Sequence, residues 1–179
     1  MLNRIILVFT VVVIAYNINC RCENVAQKLA ERVAEKAIEK QTGKKADIDI
    51  NAKEGKIEIK GDDGTKVSIG EGTDLTGVPP QLIYPGAKTE GCVKTETATE
   101  KALSVVFKTG DDVAKVETHY SDGLKGDGWA QKGRWEATQN DEKVVTLNFE
   151  KDKSTCTVWI KRGTLDTETA IGVIAREAK

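Results

Sequence analysis

The chain has 179 residues, with 27 basic against 28 acidic side chains, one histidine, four cysteines and three prolines. A net charge of −1 leaves no global basic field to gather nucleic acid or anionic lipid. With 39% apolar and 31% charged residues, any packed core must sit beneath a heavily charged surface.

Residues 5–15, IILVFTVVVIA, form an uncharged run behind a single positive residue, Arg4. As a helix the run would span about 16 Å, short of the roughly 20 apolar residues a membrane span needs. A short apolar run with a basic start is the pattern of a secretory signal, so residues 1–19 are predicted to direct export to the cell envelope or beyond. An uncleaved anchor is the alternative. Cys20 then stands where a bacterial lipoprotein carries its acylated cysteine, although Asn17 and Asn19 hold the places usual for Leu and a small residue. Two readings stay open: lipidation at Cys20, which would tether the protein to a membrane, or an unmodified exported chain. In an oxidising compartment a disulfide between Cys92 and Cys156 is expected, stabilising by roughly 4 kcal/mol in the chain-entropy model. Two separate thiols are the alternative, with Cys156 filling a core site beside Val158 and Ile160.

Residues 23–41 read as a helix, with Val25, Leu29, Val33 and Ala37 recurring every four residues and Gly43 as the stop. Residues 46–50 and 56–60 alternate strictly around a turn at Lys53-Glu54-Gly55. Gly61-Asp62-Asp63-Gly64 is a second tight turn into a strand carrying Val67 and Ile69. Helix and three-stranded antiparallel meander are predicted to form a small unit over residues 23–70, with the isoleucines on one face and charge on the other. Residues 71–87 hold all three prolines and read as a packed Pro/Gly linker. Residues 88–179 read as antiparallel strands with one helix. Asp111 and Asp112 supply an N-cap and acidic first turn, and Val113, Val116 and Tyr120 form its apolar side. Strands are predicted at 129–137, 143–150 and 154–162, with Trp129 and Trp135 sharing a face. Residues 168–178 fit either a strand or a helical stripe, and a strand is preferred. The fold class expected is α+β: the helix and meander, then a helix packed on a curved antiparallel sheet.

Ala37-Ile38-Glu39-Lys40-Gln41-Thr42-Gly43, Val78-Pro79 and Tyr84-Pro85-Gly86-Ala87, followed by a helix and Gly128-Trp129, resemble a family of small bacterial lipoprotein-like proteins of unknown function. The resemblance covers most of the chain after the signal. It implies an exported envelope protein and brings no activity and no site residues.

No assembled catalytic set is legible. His119 has Asp122 three residues on, within reach on one helix face, but no nucleophile accompanies the pair. The Asp-Gly pairs at 63–64, 122–123 and 127–128 lack calcium-loop spacing and are explained as turns. No phosphate loop or zinc spacing occurs, so no cofactor and no metal is expected. Trp159 alternates away from Val158 and Ile160, and an exposed indole there is the candidate contact for a protein partner. The functional expectation is an exported, non-enzymatic envelope protein, lipid-anchored if Cys20 is acylated, with a binding or structural role and no nucleic-acid partner. The rival is an enzyme or enzyme accessory acting on envelope polymer through sheet-face carboxylates. Two close acids with raised pKa in a cleft would favour that rival.

Overall fold

The computed structural model describes residues 23–51, 55–70 and 75–179. The export signal, Cys20 and Cys22 lie outside the described residues, as do the first two residues of the turn at 53–55. In chain order the elements are α1 (Glu23–Thr42), β1 (Ala46–Asn51), β2 (Lys56–Gly61) and β3 (Lys66–Gly70), then a 3-10 turn (Pro80–Leu82). There follow β4 (Lys88–Glu96), β5 (Glu100–Thr109), α2 (Val113–Gly126), β6 (Ala130–Gln139), β7 (Glu142–Lys151), β8 (Ser154–Gly163) and β9 (Thr169–Ala178).

Among the described residues all nine strands belong to one antiparallel sheet, in the order β1-β2-β3-β4-β5-β9-β8-β7-β6. This corrects the expected α+β arrangement of a separate helix-and-meander unit followed by a helix on a curved sheet. The cause is direct pairing of β3 with β4, Lys66 opposite Glu96 through to Gly70 opposite Cys92. The two expected units therefore share a single large sheet. Residues 169–178 form the strand that joins its two halves, since β9 pairs along its length with both β5 and β8.

Register fixes which side chains share a face, because directly opposed residues lie on the same side. Cys92, Val105, Val173, Val158 and Leu147 form one continuous row across β4, β5, β9, β8 and β7. That row belongs to the buried core, which also holds Phe107, Phe149, Ile160 and Ile171. Val113, Val116, Tyr120 and Leu124 from α2 join the same core, as do Val78, Leu82 and Tyr84. The Asp112 carboxylate caps α2 by accepting from the Lys115 amide at 2.7 Å.

The isoleucines of β1–β3 point the other way. Ile57, Ile69, Val93, Ser104 and Ile174 are successive register partners across β2, β3, β4, β5 and β9. They are adjacent in sequence to core-row residues and therefore lie on the opposite, outer face. One end of the sheet is thus apolar on its outer face, and the other is most deeply buried beneath α2.

Helix α1 guards the free edge. Glu35 accepts from the Ile48 amide at 3.2 Å and Glu31 from the Ile50 amide at 3.1 Å, satisfying outward-pointing donors of edge strand β1. Turning Glu31 and Glu35 toward β1 buries Ala34 and leaves Leu29 and Val33 63% and 59% exposed. The predicted four-residue stripe through Leu29 and Val33 is therefore not the face that packs.

Candidate functional site

On the face that carries the core, the sheet extends beyond α2 and leaves a groove of about 470 Å³. Two register rows make its floor. Lys60, Lys66, Glu96, Lys101 and Glu177 run across β2, β3, β4, β5 and β9. Beside them run Glu58, Ser68, Lys94, Leu103 and Ala175. The first row is charged throughout; the second turns apolar at β5 and β9, where Leu103 and Ala175 pack against the core cluster. Leu82, Pro79 and Trp129 complete the apolar end.

The segment after residue 74 forms a wall. Val78 donates to the Leu75 carbonyl at 2.9 Å, and Leu82 to the Pro79 carbonyl at 2.9 Å. Pro80 opens the 3-10 turn, where a missing N–H costs nothing and φ is already set. Lys94 Nζ donates to the Thr76 carbonyl at 2.7 Å, tying this wall to the floor. From behind, the Tyr120 hydroxyl donates to the Leu82 carbonyl at 3.3 Å, and the Tyr84 hydroxyl to Asp111 Oδ2 at 2.8 Å. The far wall is set by the end of α2. Gly128, at φ +82°, closes the helix in the left-handed region, and the Trp129 amide donates to the Leu124 carbonyl at 2.9 Å. Trp129 Nε1 is buried with no hydrogen-bond partner among the described residues.

The acids in this groove are held ionised. Hydrogen bonding and charge from Lys56 keep the Glu58 carboxyl below its ordinary value, with Lys60 adding to the effect. The Lys179 hydrogen bond does the same for Glu96, assisted by the charges of Lys101 and Lys66. Lys60 and Lys66 are direct cross-strand partners, and each has an acid opposite on its other side, Asp47 for Lys60 and Glu96 for Lys66.

The residues singled out by sequence fall elsewhere. Cys92 and Cys156 are both buried and are not bridged to each other. Cys92 on β4 and Cys156 on β8 have β5 and β9 between them, which is about 14 Å at one strand spacing per step. A disulfide requires Cα atoms within about 7 Å. The expected bridge is therefore absent for a topological reason. Burial pushes the Cys156 thiol up to about 12. Trp159 is on the outer face as its alternation implies, half-buried, directly opposite Gly172. Trp135, two strands away in the same row, is the exposed tryptophan at 58%. A register shift between Gln131 and Gly133 puts Trp135 on the face opposite the core into which Trp129 packs, correcting the expectation that they share one.

His119 packs edge-on against Tyr84 and Tyr120, ring centroids 4.9 and 5.2 Å away, and burial lowers its pKa. Among the described residues no hydrogen bond joins it to Asp122. Asp63 is engaged as a turn residue, accepting from the Thr65 amide at 3.0 Å and pairing with Lys44 at 2.6 Å.

Sequence reading missed the groove because its floor is assembled from β2–β5 and β9, which are distant in the chain. One part of the signal was present: a tight turn at 61–64 puts Lys60 opposite Lys66. A family model described as START domain-like matches residues 89–169, from β4 to the first residue of β9 and less than half of the chain. No curated protein and no solved structure matches the chain.

Proposed function

We propose that the chain is an exported, non-catalytic binding protein of the cell envelope whose ligand lies in the groove over β2–β5 and β9. The observation that carries this reading is the groove's apolar end, where Leu82, Leu103, Ala175 and Trp129 line space that the described residues leave open. Sites of this kind, concave and apolar with a few polar groups, are the usual form of small-molecule pockets. The START domain-like match supports it, since such domains generally bind ligands and do not catalyse. The groove acids Glu58 and Glu96 are shifted downward, opposite to what an acid catalyst requires, which favours a binder over an enzyme acting on envelope polymer. Export rests on the apolar run at residues 5–15, and a lipid anchor would add the acyl chains at Cys20.

Nile red, a neutral apolar dye, tests the site directly. The protein is expected to bind it with a gain in dye fluorescence. Ala175→Phe, which fills the apolar end without adding charge, should abolish binding, and Leu103→Glu should do the same. A urea midpoint for each variant separates a blocked groove from an unfolded chain. Binding that survives both substitutions in folded protein would sink the assignment. Intact mass of the envelope fraction, with or without acyl mass on a chain beginning at Cys20, tests the export and anchoring part.

A further inference from the structure

Strand β6 ends the sheet on the side opposite β1 and pairs with β7 alone. The two ends differ in how their edges are covered. At β1, carboxylates of α1 accept from edge amides. At β6, among the described residues, nothing bonds to the free side of the strand. An open edge is a template for another strand, and proteins usually blunt it with charge, proline or a bulge. Here the bulge between Gln131 and Gly133 blunts only the start, leaving residues 133–139 as regular ladder. That stretch carries Trp135, 58% exposed on the outer face.

We propose that β6 pairs antiparallel with β6 of a second copy about a two-fold axis at Trp135, joining two sheets edge to edge. The strand is complementary to itself in this register. With Trp135 opposite its own copy, Arg134 falls opposite Glu136 and Glu136 opposite Arg134, and both pairs attract. Moving the axis to Arg134 or to Glu136 would set two arginines or two glutamates against each other. Arg134 is equipped for the contact. Its Nε and Nη2 donate to Glu117 and Glu136 of its own chain, and its Nη1 makes no hydrogen bond among the described residues. The planar guanidinium thus keeps a donor for Glu136 of the second copy. On the outer face the two indoles meet, flanked diagonally by Gly133 and Ala137 of the facing strand, small residues that leave the rings room. The contact is short, so it belongs with weak, concentration-dependent associations.

Sedimentation velocity over a rising protein concentration tests this. The wild-type chain should shift from monomer to dimer. Trp135→Lys, which sets two charges against each other at the axis, should weaken the dimer about thirtyfold or more. Arg134→Glu opposes glutamates at both pairs and should stay monomeric, as should Glu136→Arg with its opposed arginines. An equimolar mixture of these two variants restores opposite charges at both pairs and should form the dimer that neither forms alone. Urea midpoints establish that each variant is folded. A wild-type monomer throughout, a dimer retained in Trp135→Lys, or folded charge variants that stay monomeric when mixed would each overturn the proposal.

Discussion

Trp159 on β8 and Gly172 on β9 are direct cross-strand partners, and the indole lies over the glycine so closely that a Cβ at residue 172 would fall inside the ring's van der Waals surface. The pair explains a glycine in the middle of a central strand, where loss of backbone entropy and of side-chain packing normally disfavours it. The indole supplies the apolar cover that residue 172 lacks. It also explains why Trp159 is half-buried: its contact is with the sheet itself.

Gly172→Ala should therefore destabilise by about 1–3 kcal/mol, the usual cost of forcing atoms into a packed site. The methyl group must displace the ring or move β9, and β9 is held on both sides by β5 and β8. In Trp159→Ala/Gly172→Ala the clash is gone, so the second substitution should cost much less than it does alone. Urea midpoints of the four proteins give the coupling. A neutral Gly172→Ala, or strict additivity of the two changes, would refute the account.

His119 makes stability depend on pH in a predictable direction. Burial against Tyr84 and Tyr120 lowers its pKa below the ordinary 6.5. Between the folded and unfolded values the unfolded chain binds the proton more readily, so stability rises with pH there. The contribution is present above the unfolded value and is lost as pH falls through the folded one. Since the chain has one histidine, the midpoint should drop through this imidazole as pH falls below about 6.5, before most carboxylates titrate. His119→Phe, which keeps an aromatic ring between the tyrosines, should flatten the slope in that window. An unchanged slope would mean that another group carries it.

What was legible in the chain was local. Alternation at 46–50 and 56–60 gives β1 and β2, and Asp112 before Val113 gives the start of α2, because both signals act over a few residues. Pairing of β3 with β4 and of β5 with β9 was not legible, since nothing within Lys66–Gly70 or Thr169–Ala178 states which distant strand it will meet. That missing information decided the architecture, and with it the groove. The α1 stripe misled for a different reason. Leu29 and Val33 match helical periodicity, yet Glu31 and Glu35 accept from the Ile48 and Ile50 amides of the edge strand, and this turns the helix. At Trp129 and Trp135 a single inserted residue reversed the face. Alternation cannot anticipate a bulge.

The two core cysteines supply the last test. Cys92 is opposite Val105 and Cys156 opposite Ala175, in adjacent rows of the same buried face but three strand steps apart. Sharing a face is what made a bridge look plausible in one dimension, and the intervening strands are what forbid it. Burial also raises the Cys156 thiol to about 12, so almost no thiolate exists at neutral pH and no reagent reaches it in the folded state. Iodoacetamide should leave Cys156 unmodified in native protein and alkylate it fully in denaturant without reductant. Non-reducing peptide maps should show no linked pair of peptides containing Cys92 and Cys156. A linked pair in freshly isolated protein would require β5 and β9 to lie elsewhere, and would overturn the strand order on which the groove depends.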